Sequence, residues 1–142
     1  ADLIKDNKPF NEKAYDYLGR IVEIVDGEYA SLLLYENEKL IKPITRKRKV
    51  GEWIHDYSIN YLLIDKVIES KKGETFIDWY NINYQEKLME NPNWQSILIF
   101  PLIKENILRG ILYLTVPLKE REFDNTSLNL SSVLTNIFIG NI

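Results

Sequence analysis

Ala14, Leu18, Ile21 and Val25 fall at i, i+4, i+7 and i+11, one apolar stripe along a helix. Asn11 is placed to cap that helix, with Phe10 before it as half of a hydrophobic staple, and Asp26-Gly27 stop it. From Tyr29 the period changes, and "YASLLLYENEKLIKPIT" reads as a hairpin turning near Asn37. Pro43 has no N–H to give to a ladder, so its strand is predicted at a sheet edge or at a bulge. "SINYLLIDKVIESKKG" returns to the helical period, with Leu63, Ile64, Val67 and Ile68 inside, Ser58 as cap and Gly73 after a lysine-bearing last turn. "ETFIDWY" is a short strand, and "NYQEKLMEN" a short helix whose Asn83 and Glu86 are spaced like a capping box and which Pro92 closes.

"WQSILIFPLIKENILRGILYLTVPL", Trp94 to Leu118, is the most apolar part of the chain. In its first strand Trp94, Ser96, Leu98 and Phe100 point one way, and Ile97, Ile99 and Pro101 the other. Both faces of the hairpin are apolar, which predicts helices on both faces of the sheet. "DNTSLNLSSVLTNIFIGNI" is a last helix capped by Asp124, with Leu130, Leu134, Ile137 and Phe138 along one side, opposite a non-core Ser, Thr and Asn face. The order is helix, two strands, helix, strand, short helix, two strands, helix. That is an α+β sandwich around a mainly antiparallel sheet, in one domain spanning 11–142 behind a polar leader at 1–10.

Composition removes several chemistries. There is no cysteine, and a single histidine, His55, so thiolate metal sites, thiol nucleophiles and multi-histidine clusters are excluded. A net charge of −3 argues against bulk attraction to nucleic acid or an anionic membrane. No apolar run approaches the length of a membrane span. The chain opens at Ala1 and closes in the apolar "NIFIGNI", and reads as a piece of a longer protein whose other parts could be membrane-anchored.

Three stretches in this order resemble a GAF domain, a small-molecule sensing module of bacterial signalling proteins. They are "VIESKKGETFID", ending at Asp78; "SILIFPLIKENILRGILYL", with Pro101-Leu102 and Gly110; and "REFDNTSLNLSSVLTNI". The resemblance implies a sheet of five or six strands, terminal helices packed together on one face, and a pocket roofed by helices and loops on the other. It also implies a cytoplasmic sensory domain, with a sensor histidine kinase as the expected parent, that binds a small molecule non-covalently and relays through the last helix. Leu130, Leu134, Ile137 and Phe138 are then also the residues expected to carry output and a homodimer through the terminal helices. PAS domains share a similar architecture with different terminal helices and strand order. The family's cysteine-dependent chemistries drop out here, and "EFDN" at Glu122 to Asn125 matches too little of its cyclic-nucleotide pattern. No cofactor is expected.

The candidate ligand-binding residues are Tyr57, Tyr61, Asp78, Trp79, Trp94, Ser96, Tyr113 and Thr115: aromatic walls with a few polar tips, suited to a small planar or amphipathic ligand. Their plainer role is core and rim, and Asp78 could simply cap a turn. His55 could serve as a haem ligand, but in "GEWIHDYS" it reads as a surface loop residue. "RKRK", Arg46 to Lys49, lacks the interleaved aromatics of a nucleic-acid site and reads as solvated charge beside an edge strand. From Asn125 to Ile142 no residue is charged. The Ser, Thr and Asn face of the last helix is therefore expected to be covered, by the first helix or by a second copy of the chain. A ligand-free module that only dimerises is the alternative function. No nucleophile–base pair, metal constellation or phosphate loop points to an enzyme.

Overall fold

A computed structural model of the chain describes residues 9–49, 58–79 and 94–142. In chain order the elements are α1 (Phe10–Ile24), β1 (Tyr29–Glu36), β2 (Lys39–Leu40), β3 (Ile44–Lys47), α2 (Tyr61–Ser70), β4 (Glu74–Trp79), β5 (Trp94–Lys104), β6 (Ile107–Pro117) and α3 (Asn125–Gly140). The expected short helix at 83–91 lies outside the described residues. The six strands form one sheet in the order β2-β1-β6-β5-β4, with β3 also on β1, and every pairing is antiparallel. Two-residue turns with left-handed central residues, Asn37-Glu38 and Glu105-Asn106, close the β1–β2 and β5–β6 hairpins. Pro43 sits between β2 and β3, which pair with β1 alone, so the proline interrupts an edge as its missing N–H requires.

Both faces of the β5–β6 hairpin are covered. Leu98, Leu102, Leu112, Leu114 and Val116 face α1 and α3, joined there by Ala14, Leu18, Ile21 and Val25 of the predicted α1 stripe. Ile97, Ile99, Ile111 and Tyr113 face the other way, with Leu33, and meet Ile64 and Val67 of α2. Gly110 is a glycine because a Cβ there would lie 2.8 Å from the carbonyl oxygen of Leu33 on the neighbouring strand. At Gly73 a Cβ would run into the Phe100 ring.

Several helix ends differ from expectation. α1 starts at Phe10 with Pro9 in the cap position and no side-chain cap, so Asn11 is a first-turn residue and not the N-cap. Proline there is pre-set to a helical φ, and its carbonyl accepts from Glu12 and Lys13. At the other end the left-handed residue is Asp26 (φ 54°), and Gly27 N–H bonds Val22 O at 2.8 Å. Asp26 also holds two arginines, Arg48 at 2.8 Å and Arg121 at 3.2 Å, so its carboxylate ties α1 to the segments after β3 and β6. α2 is capped by Asn60, not Ser58, and it ends at a left-handed Lys71, not at Gly73. α3 is capped by Asp124, as predicted, and the structure adds a reciprocal box with Ser127.

The rotational setting of α3 is a correction. Its buried residues are Ser131, Thr135, Phe138 and Ile139, whereas Leu130 and Leu134 are half-buried and Ile137 is 57% exposed. Of the expected core line only Phe138 is fully inside, stacked on Tyr17 at 4.3 Å between ring centroids. The small hydroxyl residues face inward because α1 lies close there, and Tyr17 Oη shares a 2.6 Å hydrogen bond with Thr135 Oγ1. Ser131 Oγ is buried with no partner. Tyr17→Phe is expected to cost about 1–2 kcal/mol by stranding the Thr135 hydroxyl. Ser131→Ala, which removes a stranded hydroxyl, is expected to be neutral or stabilising. Urea unfolding of both variants checks the pair, and equal losses would contradict it.

Candidate functional site

Alternation along the strands puts a polar row on the α2 face, past the N-terminal end of that helix. β1 contributes Tyr29 and Ser31, opposite Thr115 and Tyr113 of β6; β5 contributes Gln95, opposite Asp78 of β4. Ser31 and Thr115 are fully buried, and Tyr113, Gln95 and Tyr29 are nearly so. Ser31 Oγ bonds Thr45 Oγ1 at 2.8 Å. A sheet face with this many buried polar side chains is unlike the apolar floor beneath the rest of α2, where Leu33, Ile99 and Ile111 lie.

Asn60 organises the row. Its side-chain carbonyl accepts from Leu62 N at 3.0 Å and Leu63 N at 3.3 Å, which caps α2. Its side-chain amide donates to Asp78 Oδ2. Its backbone N–H donates to Tyr113 Oη at 3.0 Å. One residue thus fixes the start of α2 over β6 and β4 together. Burial pushes the Tyr113 phenol up to about 12; the Asn60 N–H opposes that rise, and the Asp78 charge and Tyr61 add to it. Thr115 Oγ1 is buried without a hydrogen-bond partner.

The structure brings Asp78, Tyr113 and Thr115 onto this face, with Tyr61 half exposed at the first turn of α2. Ser96 lies on the opposite face, where its Oγ accepts from Phe123 N–H at 2.9 Å and so holds the entry to α3. Trp94 has the same parity as Ser96 and is 36% exposed at the end of β5. Register pairs Trp79 with Trp94. Tyr57, the Trp79 side chain and His55 lie outside the described residues. Asn60 and Gln95 were not among the sequence candidates. A glutamine with the parity of Ile97 and Ile99, in an otherwise apolar strand, was the available signal for Gln95.

The basic run is absorbed by the fold. Arg46 lies over the Tyr15 ring at 4.3 Å and donates to Tyr15 O, Lys47 lies over the Tyr29 ring, and Arg48 pairs with Asp26 and Glu23. Among the described residues no cluster of His, Asp or Glu could hold a metal ion. No described helix is long and apolar enough to cross a membrane.

No family model matches the chain, and no curated protein does. Solved structures do. A GAF domain/HD domain protein from Geobacter sulfurreducens superposes with a TM-score of 0.65 at 9% identity, covering 95% of this chain and 93% of its own. The GAF domain of an Acinetobacter phosphoenolpyruvate-protein phosphotransferase gives 0.59 at 13% identity over 95% and 83%. The fold is that of a GAF domain. A third GAF structure, that of A. aeolicus nlh2 in an inactive state, gives 0.54 at 15% identity over 96% and 85%. In this GAF fold the terminal helices α1 and α3 share one face of the sheet, and the Asn60-centred polar row lies on the other.

Proposed function

We propose that the chain is a sensory domain of a bacterial signal-transduction protein, binding a small molecule non-covalently on the α2 face. The observation that carries this reading is the buried polar row, with the Thr115 hydroxyl left without a partner in a GAF fold. A cytoplasmic setting and a histidine kinase as parent belong to the same proposal. So does relay through α3, which Ser96 ties to the central strands at Phe123. The test is a thermal-shift screen against metabolites, nucleotides and amino acids. A ligand near a hundred times its Kd adds about 2.7 kcal/mol, or roughly 3–6 °C for a domain this size. A broad library with no shift would remove the sensor reading.

A second reading, dimerisation, has its own observation. Leu130, Val133, Leu134 and Ile137 fall at i, i+3, i+4 and i+7 on the outer side of α3, and Val133 and Ile137 are 59% and 57% exposed. That is the spacing of a seam for a helix from a second copy. Tyr17, Leu134, Ile137 and Phe138 also line a groove between α1 and α3, together with Lys13, Asp16 and Arg20. Sedimentation at high protein concentration is expected to show a dimer that Ile137→Asp dissociates. A monomer at every concentration would end this reading.

A further inference from the structure

The two edges of the sheet are built differently. One consists of β2 and β3, two and four residues long, parted at Pro43 and carrying Lys39, Arg46 and Lys47. Short strands, proline and cationic side chains keep a further strand from pairing there. The other edge is β4, which has none of these. Its six residues pair with β5 in unbroken register, and among the described residues nothing pairs with its outer side. No proline, lysine or arginine occurs from Glu74 to Trp79. In an antiparallel ladder alternate residues turn both N–H and C=O away from the neighbouring strand, so β4 presents donors and acceptors in a straight row.

The side chains along β4 define the strand that would fit it. Ile77 is 49% exposed, and Trp94, its diagonal neighbour on the same face of β5, is 36% exposed. On the α2 face the strand carries a carboxylate near each end. Glu74 has no ion pair or hydrogen bond among the described residues, and Asp78 uses one oxygen to accept from Asn60. Phe76 lies between them, packed against the core beneath α2. A second copy of β4 suits this edge poorly. Matching faces allows an antiparallel register centred on Phe76, which sets Glu74 opposite Asp78 at both ends, or one centred on Ile77, which sets Asp78 opposite Phe76. The first opposes like charges, and the second lays a carboxylate on a ring.

We propose that β4 is a docking edge for an extended segment of another protein, added antiparallel as a seventh strand. Its basic residues stand opposite Asp78 and Glu74, and its apolar residues opposite Ile77 and Phe76. Backbone pairing supplies the affinity and the side-chain positions the selectivity. Lys71 and Lys72 precede β4, so an acidic residue suits the partner just past Glu74.

The probe is a peptide containing Lys-Val-Val-Thr-Lys-Gly-Glu, with Glu-Val-Val-Thr-Glu-Gly-Lys as its charge-reversed control. Each is titrated at millimolar concentration into the isotope-labelled chain and followed by NMR. The first peptide is expected to shift the backbone amides of β4 and to slow their hydrogen exchange. Glu74→Lys, at a side chain without partners, should fold as the parent does, weaken that peptide about three- to tenfold and favour the control. Ile77→Lys should weaken it as well, by removing the apolar contact and adding like charge. Equal shifts at β4 from both peptides overturn the charge assignment. Shifts confined to other strands, or none, overturn the docking edge. A dimer at high concentration that Ile77→Lys dissociates and Ile137→Asp leaves intact gives the edge to a second copy, and the proposal falls.

Discussion

Leu112→Ala is expected to destabilise the domain by about 2–5 kcal/mol, a large part of the 5–15 kcal/mol typical of a folded domain. Leu112 is fully buried at the middle of β6. It pairs with Leu32 on one side and Phe100 on the other, under the α1–α3 layer. Alanine there loses the transfer free energy of the missing carbons and leaves a cavity. The strands on both sides cannot close over it without breaking the ladders that β6 makes with β1 and β5. Leu62→Ala serves as the control: that side chain is 75% exposed on α2, and its loss should change stability by less than about 0.5 kcal/mol. Urea unfolding separates the two, and a Leu112→Ala loss below 1 kcal/mol would show that the β5–β6 hairpin is not the centre of the core.

The second large effect is alkaline. The Tyr113 phenol has an ordinary value near 10 in the unfolded chain and is pushed up to about 12 in the fold. Below pH 10 both states keep the proton and the contribution is fully present. Between 10 and 12 the unfolded state has released its proton and the folded state has not, so stability falls as pH rises through that window. At about 1.4 kcal/mol per unit, Tyr113 alone accounts for a loss of about 2–3 kcal/mol. Tyr17 acts in the same direction, since burial raises its phenol against the opposing bond to Thr135. Tyr113→Phe is expected to cost about 1 kcal/mol at pH 7, where Asn60 N–H loses its acceptor, yet to flatten the decline from pH 10 to 12. Urea midpoints taken in steps from pH 8 to 12 read both effects. Parallel declines in the two proteins would mean that the phenol ionises freely in the fold.

Most of the architecture was legible because it rests on strong local patterns. The α1 stripe, the two-sided β5–β6 hairpin, the Asp124 cap and the edge at Pro43 each follow from spacing or from a missing N–H. The grouping of Ser96 with Tyr113 and Thr115 failed for one physical reason, a β-bulge. From the Glu105-Asn106 turn, an unbroken ladder would pair Ser96 with Thr115. The register shift beside Leu102 and Ile103 leaves Arg109 as an extra residue, pairs Ser96 with Val116 and moves Ser96 to the other face. Pro101 and Gly110 beside that step were its only trace in the sequence. The cap of α2 was ambiguous locally, since Ser58 and Asn60 both suit the role, and the choice falls to Asn60 through Asp78 on a different element. On α3 the apolar line Leu130, Leu134, Ile137 and Phe138 pointed to the wrong rotational setting. Apolar residues surround it, and its two buried hydroxyl residues are placed by how closely α1 approaches, a tertiary fact.

That helix also has little to lock it about its own axis. An ordinary amphipathic helix resists rolling because a turn of one residue position, about 100°, drags charge under the layer below and lifts hydrocarbon into water. Between Asn125 and Ile142 there is no charge to drag, so a roll exchanges one uncharged side chain for another. What opposes it is the apolar packing of Phe138 and Ile139 together with three specific contacts: the Tyr17–Thr135 bond, the stacked Phe138 ring and the Ser96 hydroxyl gripping Phe123 at the helix entry. The setting of α3 about its axis is thus fixed by a hydroxyl pair, a ring stack and a backbone grip and not by a charged outer face.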